Sequence, residues 1–530
     1  MQQTLYYGGN IITMENTVYA QAVLVENGII KAVGKFDDIS AMADKSVNII
    51  NLNGKTLMPA FTDAHSHFMA CANSILQAQL GECINWQEII DKLKEFKEKN
   101  NIQKGCWIRG TGYDQNNLEE GKAPNRFILD KIFPDNPVFI QHASGHMGVY
   151  NTRALEWLKI TNDTPCPEGG VMEKDEDGNL TGYMEENGFI VPLKKIPMPD
   201  IEDMMDAIVK AQENYLAHGI TTVQEGMFMD AMVPIYEVML NRNLLKVDLV
   251  AFTDPQNSNV IKEKFKNHIN KYNNHFKIGG DKIFLDGSPQ GRTAWMRTPY
   301  KGDDENYVAY PVWDDEQVYK FVYDAYVNDR QILAHCNGDR AAQQYISAIE
   351  KVKNETGKNS KRPVMVHAQL LGLDQLSKVK ELGIVPSFFI AHIYHWGDVH
   401  IKNFGLERAS TISPAGAALK ENIPFTFHQD SPVIEPDMLE TVWCAVNRIT
   451  KNNVKLGEKL AVSAYDALKA VTINSAYQYF EENTKGSIRE GKVADFVILS
   501  ENPLEANSMD IKNIKVLQTI KDDKIVWSSI

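Results

Sequence analysis

This chain of 530 residues has no Cys-x-x-Cys pair, no long apolar run and no dense basic tract. Its six cysteines, Cys71, Cys83, Cys106, Cys166, Cys336 and Cys444, are scattered. That spacing excludes a small disulfide scaffold and points to free thiols in a reducing compartment. No stretch approaches the roughly 18 consecutive apolar residues of a membrane-spanning helix. Met1-Gln2-Gln3-Thr4 opens no basic and then apolar leader, and no lipid anchor is visible, so the expected location is cytoplasmic. The formal net charge is -14, and the largest basic cluster, around Lys358 to Arg362, is short and reads as a solvated loop. Nucleic acid and anionic membrane are therefore not expected partners. Internal repeats and low-complexity segments are absent as well.

What is present is ordinary globular composition, with 43% hydrophobic and 23% charged residues. The length suits either several average domains or one large barrel with attachments. Tyr6 to Met14, Ala20 to Val25, Ile29 to Val33 and Val47 to Leu52 read as short strands separated by glycine turns. Val493 to Leu499, Ile514 to Ile520 and Lys524 to Trp527 give three more at the other end. Short strands at both ends predict a composite β-sandwich from residues 1–57 and 486–530, with two separate small sheets as the alternative.

Residues 58–485 alternate apolar runs with amphipathic segments, the pattern of βα units on a parallel sheet. Candidate strands are Thr221 to Glu225, Leu245 to Phe252, Asp281 to Leu285, Gln331 to His335, Val364 to His367, Ile384 to Phe389 and Phe425 to Asp430. Helices are predicted at Ile201 to His218 and Glu316 to Asn328, among others. With the run into His65 as the first strand, the expected fold is α/β: a distorted (β/α)8 TIM barrel. Residues from about 75 to 200, with a helical run at Trp86 to Lys99, form an insertion after that first strand.

Chemistry-bearing residues stand in or at the ends of these strand-like runs. Leu57-Met58-Pro59-Ala60-Phe61-Thr62-Asp63-Ala64-His65-Ser66-His67 ends in two histidines one residue apart. In an extended strand positions i and i+2 share a face, so both imidazoles would converge on one point. Lys282 follows Gly279-Gly280-Asp281, His335 closes Ile332-Leu333-Ala334-His335, His367 closes Val364-Met365-Val366-His367, and Asp430 precedes Ser431-Pro432. A single such histidine is more often a hydrogen-bonded core or loop residue, and a single Asp before Ser-Pro a turn or cap. The ordered set, each on its own run, is not obtained by accident. Imidazole and carboxylate together suit Zn²⁺, and also Mn²⁺ or Fe²⁺.

The sequence resembles the amidohydrolase superfamily of metal-dependent hydrolases, and within it the branch that includes N-substituted formamide deformylases. The likeness covers nearly the full chain. It rests on Pro59 to His67, on Lys282 to Thr293 with its Lys-x-x-x-Asp-Gly, on His335-Cys336-Asn337-Gly338-Asp339-Arg340, and on His367-Ala368-Gln369. It also rests on Asp430-Ser431-Pro432-Val433, and on Gly486-Ser487-Ile488 with Gly491-Lys492-Val493-Ala494-Asp495-Phe496. The resemblance implies one or two divalent metals, Zn²⁺ first. His65 and His67 would bind the more buried ion with help from Asp430, His335 and His367 would bind the second, and Lys282 would bridge both as its carbamate. A bridging water would lose a proton near neutral pH, and Asp430 would take it and deliver it to the leaving nitrogen. The implied reaction is hydrolysis of a non-peptide C–N bond in a small amide, N-substituted formamide or cyclic amide, and the implied assembly is a homodimer.

Three stretches are candidates for shaping the pocket: Trp107 to Asp114, His142-Ala143-Ser144-Gly145-His146, and His392-Ile393-Tyr394-His395-Trp396-Gly397-Asp398. His146 and His395 are the candidate carbonyl-polarising or substrate-binding groups, with loop packing as the alternative. Arg292, Trp295 and Glu225 are weaker candidates, and Cys336 reads as a small buried residue. Three alternatives stay open. A deaminase would need a Glu just after the strand-five histidine, where Gly338 and Asp339 stand. An esterase would use the same cage. A non-catalytic scaffold should lack the ligands, yet all six are present.

Overall fold

The computed structural model describes residues 2–115, 117–143, 145–197, 199–302, 306–358 and 361–530. Ser144 and residues 359–360, within two stretches named above, lie outside the described residues. The chain divides into two compact units, Met1–Met69 with Ala211–Ile530, and Ala70–Lys210.

The first unit is organised on eight parallel strands: β1 (Phe61–Thr62), β2 (Ile220–Phe228), β3 (Asp248–Thr253), β4 (Phe276–Phe284), β5 (Gln331–Cys336), β6 (Val364–His367), β7 (Val385–Phe388) and β8 (Thr426–Phe427). Each pairs with the next in chain order. That is the topology helical crossovers impose, since parallel neighbours cannot be joined by a tight hairpin. The strands are buried at nearly every position, as a sheet covered by helices requires. Val250, Phe252, Leu333, Val364, Val366 and Val385 share one buried cluster with Tyr479. The helices between them start and stop on local signals. Asp314 caps Asp315–Val327 by accepting from the Gln317 N–H, and Gly357 ends Asp339–Thr356 in the left-handed conformation.

The circle is distorted where it closes, because the short strands β8 and β1 share no ladder. Chain beyond both strands makes the join instead. The Asp430 N–H donates to the His65 carbonyl at 3.2 Å, and the His67 N–H donates to the Ser431 carbonyl at 2.8 Å. The seam of the barrel therefore runs through three of the residues singled out in the sequence.

Both ends of the chain build one β sheet in the same unit. Its order is Lys524–Ser528, Val516–Lys521, Phe496–Leu499, Thr56–Pro59, Gln3–Ile12, Tyr19–Glu26 and Ile29–Gly34, with Asn48–Asn51 beside Gln3–Ile12. Ile30 near one edge and Ile520 near the other share a core with Tyr6, Val23, Leu57 and Phe496, so the sheet wraps around that core. The Ala70–Lys210 unit has its own six-stranded sheet, from Gly170–Lys174 at one edge to Ala78–Gln79 at the other. Its helix Trp86–Lys99 is capped by Asn85, and Ile89, Ile90 and Leu93 are buried. Among the described residues, no helix is long and apolar enough to cross a membrane.

Candidate metal centre

Three donor atoms meet just beyond the seam. Asp430 Oδ1 lies 3.3 Å from His65 Nε2 and 3.4 Å from His67 Nε2. The donor atoms of these three residues all fall within 4.8 Å of one another. Lys282, fully buried on β4, places Nζ 3.3 Å from the same His65 Nε2. From β5 and β6, His335 Nδ1 and His367 Nε2 face each other at 3.0 Å, and His367 Nε2 is 3.9 Å from Asp430 Oδ2. All six sequence-predicted side chains are thus joined by a run of short donor-to-donor spacings.

The route by which the two N-terminal histidines converge differs from the expected one. They lie past β1, in a bend and an isolated bridge, rather than on one face of a strand. The Asp63 carboxylate accepts from the His65 N–H at 3.2 Å and shapes the bend, as Asp does in Asx turns. The rings then meet edge to face with centroids 5.1 Å apart. His367 and Asp430 both take positive φ, +70° and +54°. Backbone of this kind costs energy for non-glycine residues and gathers at functional sites.

Residues not singled out in the sequence hold this arrangement. Gln224 on β2 brings Oε1 to 2.5 Å from His65 Nδ1, while its amide donates to the Ala64 carbonyl and the Tyr479 hydroxyl. That leaves Nε2 of His65 to face the site. Glu225, a weak candidate for substrate contact, is instead buried, and its carboxylate accepts from the Met69 N–H and the Tyr236 hydroxyl, both at 2.8 Å. Gly226 packs against both histidines. A Cβ there would lie 2.7 Å from His65 Cε1 and 3.0 Å from His67 Cε1. Asp286, from the Lys-x-x-x-Asp-Gly stretch, accepts from the Asn337, Gly338 and Trp295 N–H groups at 2.9, 2.7 and 2.9 Å and so clamps the loop after His335.

Burial sets the protonation states. It drives His65 down to about 4, with the Lys282 charge adding to the effect, and His335 down to about 3 for the same two reasons. Burial and then the neighbouring His335 hold His367 well below the ordinary histidine range. These imidazoles are neutral at pH 7 and have lone pairs to offer. Burial also lowers the Lys282 amine to about 7 against the pull of Asp430. Burial alone would raise Asp430, but His367, His65 and His67 outweigh it and hold the carboxyl well below its usual range.

The donor set fits a divalent cation. Neutral imidazoles and an ionised carboxylate are the ligands such ions take. Asp430 Oδ1 is buried with no hydrogen-bond partner among the described residues. The 3.0 Å between His335 Nδ1 and His367 Nε2 is a spacing two nitrogens can adopt on one ion at about 2.0–2.1 Å from each.

Other sequence candidates sit as follows. His395, on the helix His392–Phe404, is bound to Glu440 at 2.8 Å. On the same helix, His392 and Trp396 pack on Phe389, whose ring centroid lies 6.2 Å from that of His367. His146 belongs to the Ala70–Lys210 unit, where its Nδ1 lies 3.0 Å from Glu186. The Arg292 guanidinium lies over the Tyr300 ring at 5.6 Å, and Arg340 lies over Trp295 at 4.8 Å. Cys336 is buried, with its thiol pushed up by burial, which suits a packing residue.

Known proteins resemble the chain over nearly its full length. The model of the amidohydrolase family matches residues 48–527. YtcJ of Bacillus subtilis (strain 168) is 26% identical over 540 residues, covering 99% of each chain. The N-substituted formamide deformylase of Arthrobacter pascens is 25% identical over 545 residues, covering 98% of each. Among solved structures, an uncharacterized metal-dependent hydrolase from Pyrococcus horikoshii OT3 superposes with a TM-score of 0.78 at 27% identity, over 96% of this chain and 99% of that one.

Proposed function

The chain belongs to the amidohydrolase family, and from that premise we propose that it is a metal-dependent hydrolase that cleaves the C–N bond of an N-substituted formamide or another small amide. The observation that carries this reading is the meeting of Asp430 Oδ1 with both His65 and His67, while Lys282 Nζ lies 3.3 Å from the same His65 nitrogen. His65, His67 and Asp430 would hold one ion, Zn²⁺ by the chemistry of the donors, and His335 and His367 a second. A divalent ion bound there supplies Lewis acidity, polarising the substrate carbonyl and lowering the pKa of a water.

Lys282 joins the two halves of the site as its carbamate. An amine lowered to about 7 is partly unprotonated at neutral pH. Its nitrogen adds to the carbon of CO₂, a proton leaves to solvent, and an anionic oxygen donor results. Asp430 Oδ2 accepts the proton of the attacking water and returns it to the leaving nitrogen. His395, held by Glu440, is a substrate-side group that orients the amide carbonyl. Deamination is disfavoured, because Asp339 after His335 is already occupied by the backbone N–H and Nε of Arg297 at 2.7 and 3.1 Å.

Metal analysis of the wild type and Lys282→Ala, each loaded with Zn²⁺ or Mn²⁺ in bicarbonate, tests the reading. About two equivalents per chain are expected in the wild type and one or fewer in the variant, with turnover of an N-substituted formamide lost alongside. One equivalent in both would make Lys282 structural, and none in either would sink the hydrolase reading. Gly226→Ala probes the cradle from the other side. Overpacking against His65 and His67 costs about 1–3 kcal/mol, so an ion affinity lower by about tenfold or more is expected in chelator competition. An unchanged affinity would mean the two histidines do not hold the ion.

A further inference from the structure

His428 lies behind the second pair of imidazoles and takes no step in the chemistry above. It is fully buried. Its Nε2 is 3.1 Å from His367 Nδ1, and its Nδ1 is 2.9 Å from Ser387 Oγ on β7. With His335 and Asn337 these residues form one series of contacts, Ser387 to His428 to His367 to His335 to Asn337.

A neutral imidazole has one donor and one acceptor nitrogen, so placing one proton places the others. Asn337 Nδ2 donates to the Gly287 carbonyl at 2.8 Å, which identifies it as the amide nitrogen, and the same atom faces His335 Nε2 at 3.0 Å. The Gly287 carbonyl also lies 3.4 Å from His335 Nε2, farther than Asn337 Nδ2 and already accepting from it, so in the network of shorter contacts Nε2 is the acceptor and Nδ1 has the proton, which it donates to His367 Nε2. His367 in turn has its proton on Nδ1 and donates it to His428 Nε2. The proton of His428 lies on Nδ1 and goes to Ser387 Oγ. This assignment follows from the hydrogen-bond network. It leaves His367 with an unprotonated Nε2 on the site side, and only His335 has to move a proton to offer Nδ1 to an ion.

We propose that His428 is a positioning residue that accepts the His367 Nδ1 proton and so holds His367 in the tautomer and orientation that turn its Nε2 lone pair toward the metal. The proposal rests on the reading that His335 and His367 hold an ion. Metal-binding histidines usually give their second N–H to a carboxylate, a carbonyl or water. Here that acceptor is a third imidazole, itself fixed by Ser387.

The test is a Co²⁺ titration of metal-free wild type, His428→Phe, His428→Gln and Ser387→Ala against a chromophoric chelator, with melting curves recorded for each. His428→Phe, which keeps the volume and removes the acceptor, is expected to weaken one ion by about 10–100-fold and leave the other unchanged. His428→Gln is expected to recover most of the loss, since its carbonyl can accept from His367 while its amide reaches Ser387. Ser387→Ala, which removes the partner of His428 Nδ1, is expected to weaken the same ion by a smaller factor. Wild-type affinities in His428→Phe would overturn the proposal while leaving the metal reading intact, as would a Gln variant no better than Phe. Should His428→Phe fail to fold, wild-type affinity in both His428→Gln and Ser387→Ala supports only packing around His367 and overturns the tautomer role. A wild type that binds no Co²⁺ would overturn the metal reading itself, and the proposal with it.

Discussion

Asp430→Asn is expected to lower kcat for amide hydrolysis by about 10²–10⁴-fold, the usual worth of a positioned proton acceptor, in a chain that still folds. Asparagine is the informative replacement because Asp430 sits at φ +54°, a conformation Asn tolerates nearly as well as Asp. The side-chain shape is kept as well. What is lost is an ionised oxygen, held well below the usual carboxyl range by His367, His65 and His67 against the opposing effect of burial. Two roles can be separated. If Asp430 only holds an ion, the variant loses metal and its residual turnover per bound equivalent stays near the wild-type value. If it also moves the proton, turnover per bound equivalent falls with kcat. Metal content and kcat measured on the same preparations distinguish the two, and a fall of less than tenfold per equivalent removes Asp430 as the base.

The barrel was readable because its strands are buried on both faces. β2 to β7 overlap the predicted runs, β4 starting at Phe276 rather than Asp281, since apolar β-branched segments bounded by turns have few other places to go. The stretch that leads into His65 was read as one strand and is two. Thr56–Pro59 pairs antiparallel with Phe496–Leu499 in the terminal sheet, and Phe61–Thr62 pairs with β2 in the barrel. Between them the Ala60 N–H donates to the Asp495 carbonyl at 3.0 Å. Both halves are wholly buried, so periodicity does not mark the change of sheet. His65 and His67 come together although the chain there bends, because Gln224 and Asp63 aim His65 from outside the strand.

The supporting residues were harder to read than the candidate ligands for a physical reason. Gly226 matters through the absence of an atom, and Gln224 through a contact 159 positions away. Neither leaves a mark in local pattern. His428 did leave one, since it stands two residues before Asp430 as His65 stands two before His67. The rule used for the first pair would have placed it near the site.

Asp248→Ala is expected to destabilise the first unit by about 3–5 kcal/mol, the cost of breaking a buried ion pair from one side. Asp248 begins β3 and holds the barrel to the terminal sheet. Its Oδ2 accepts from Lys521 at 2.7 Å and also from Lys485, while Oδ1 faces His275 Nδ1 at 2.7 Å. Lys485 and Lys521 are 9% and 4% exposed. Without Asp248 the carboxylates left to them are Glu481 at 3.1 Å from Lys485 and Asp495 at 3.2 Å from Lys521, with the Thr222 hydroxyl 3.3 Å from Lys485, so two buried ammonium groups lose their shared partner. Burial would raise the Asp248 carboxyl, but Lys485, Lys521 and His275 together hold it well below its usual range. A folded-state pKa below the unfolded value of about 3.9 means that this stabilisation is fully present above that pH. It is lost only as the pH falls through the lower folded value. The difference in urea midpoint between wild type and variant should therefore stay constant from about pH 5 to 8 and narrow below about pH 4. A difference worth less than about 1 kcal/mol would place this network with exposed ion pairs.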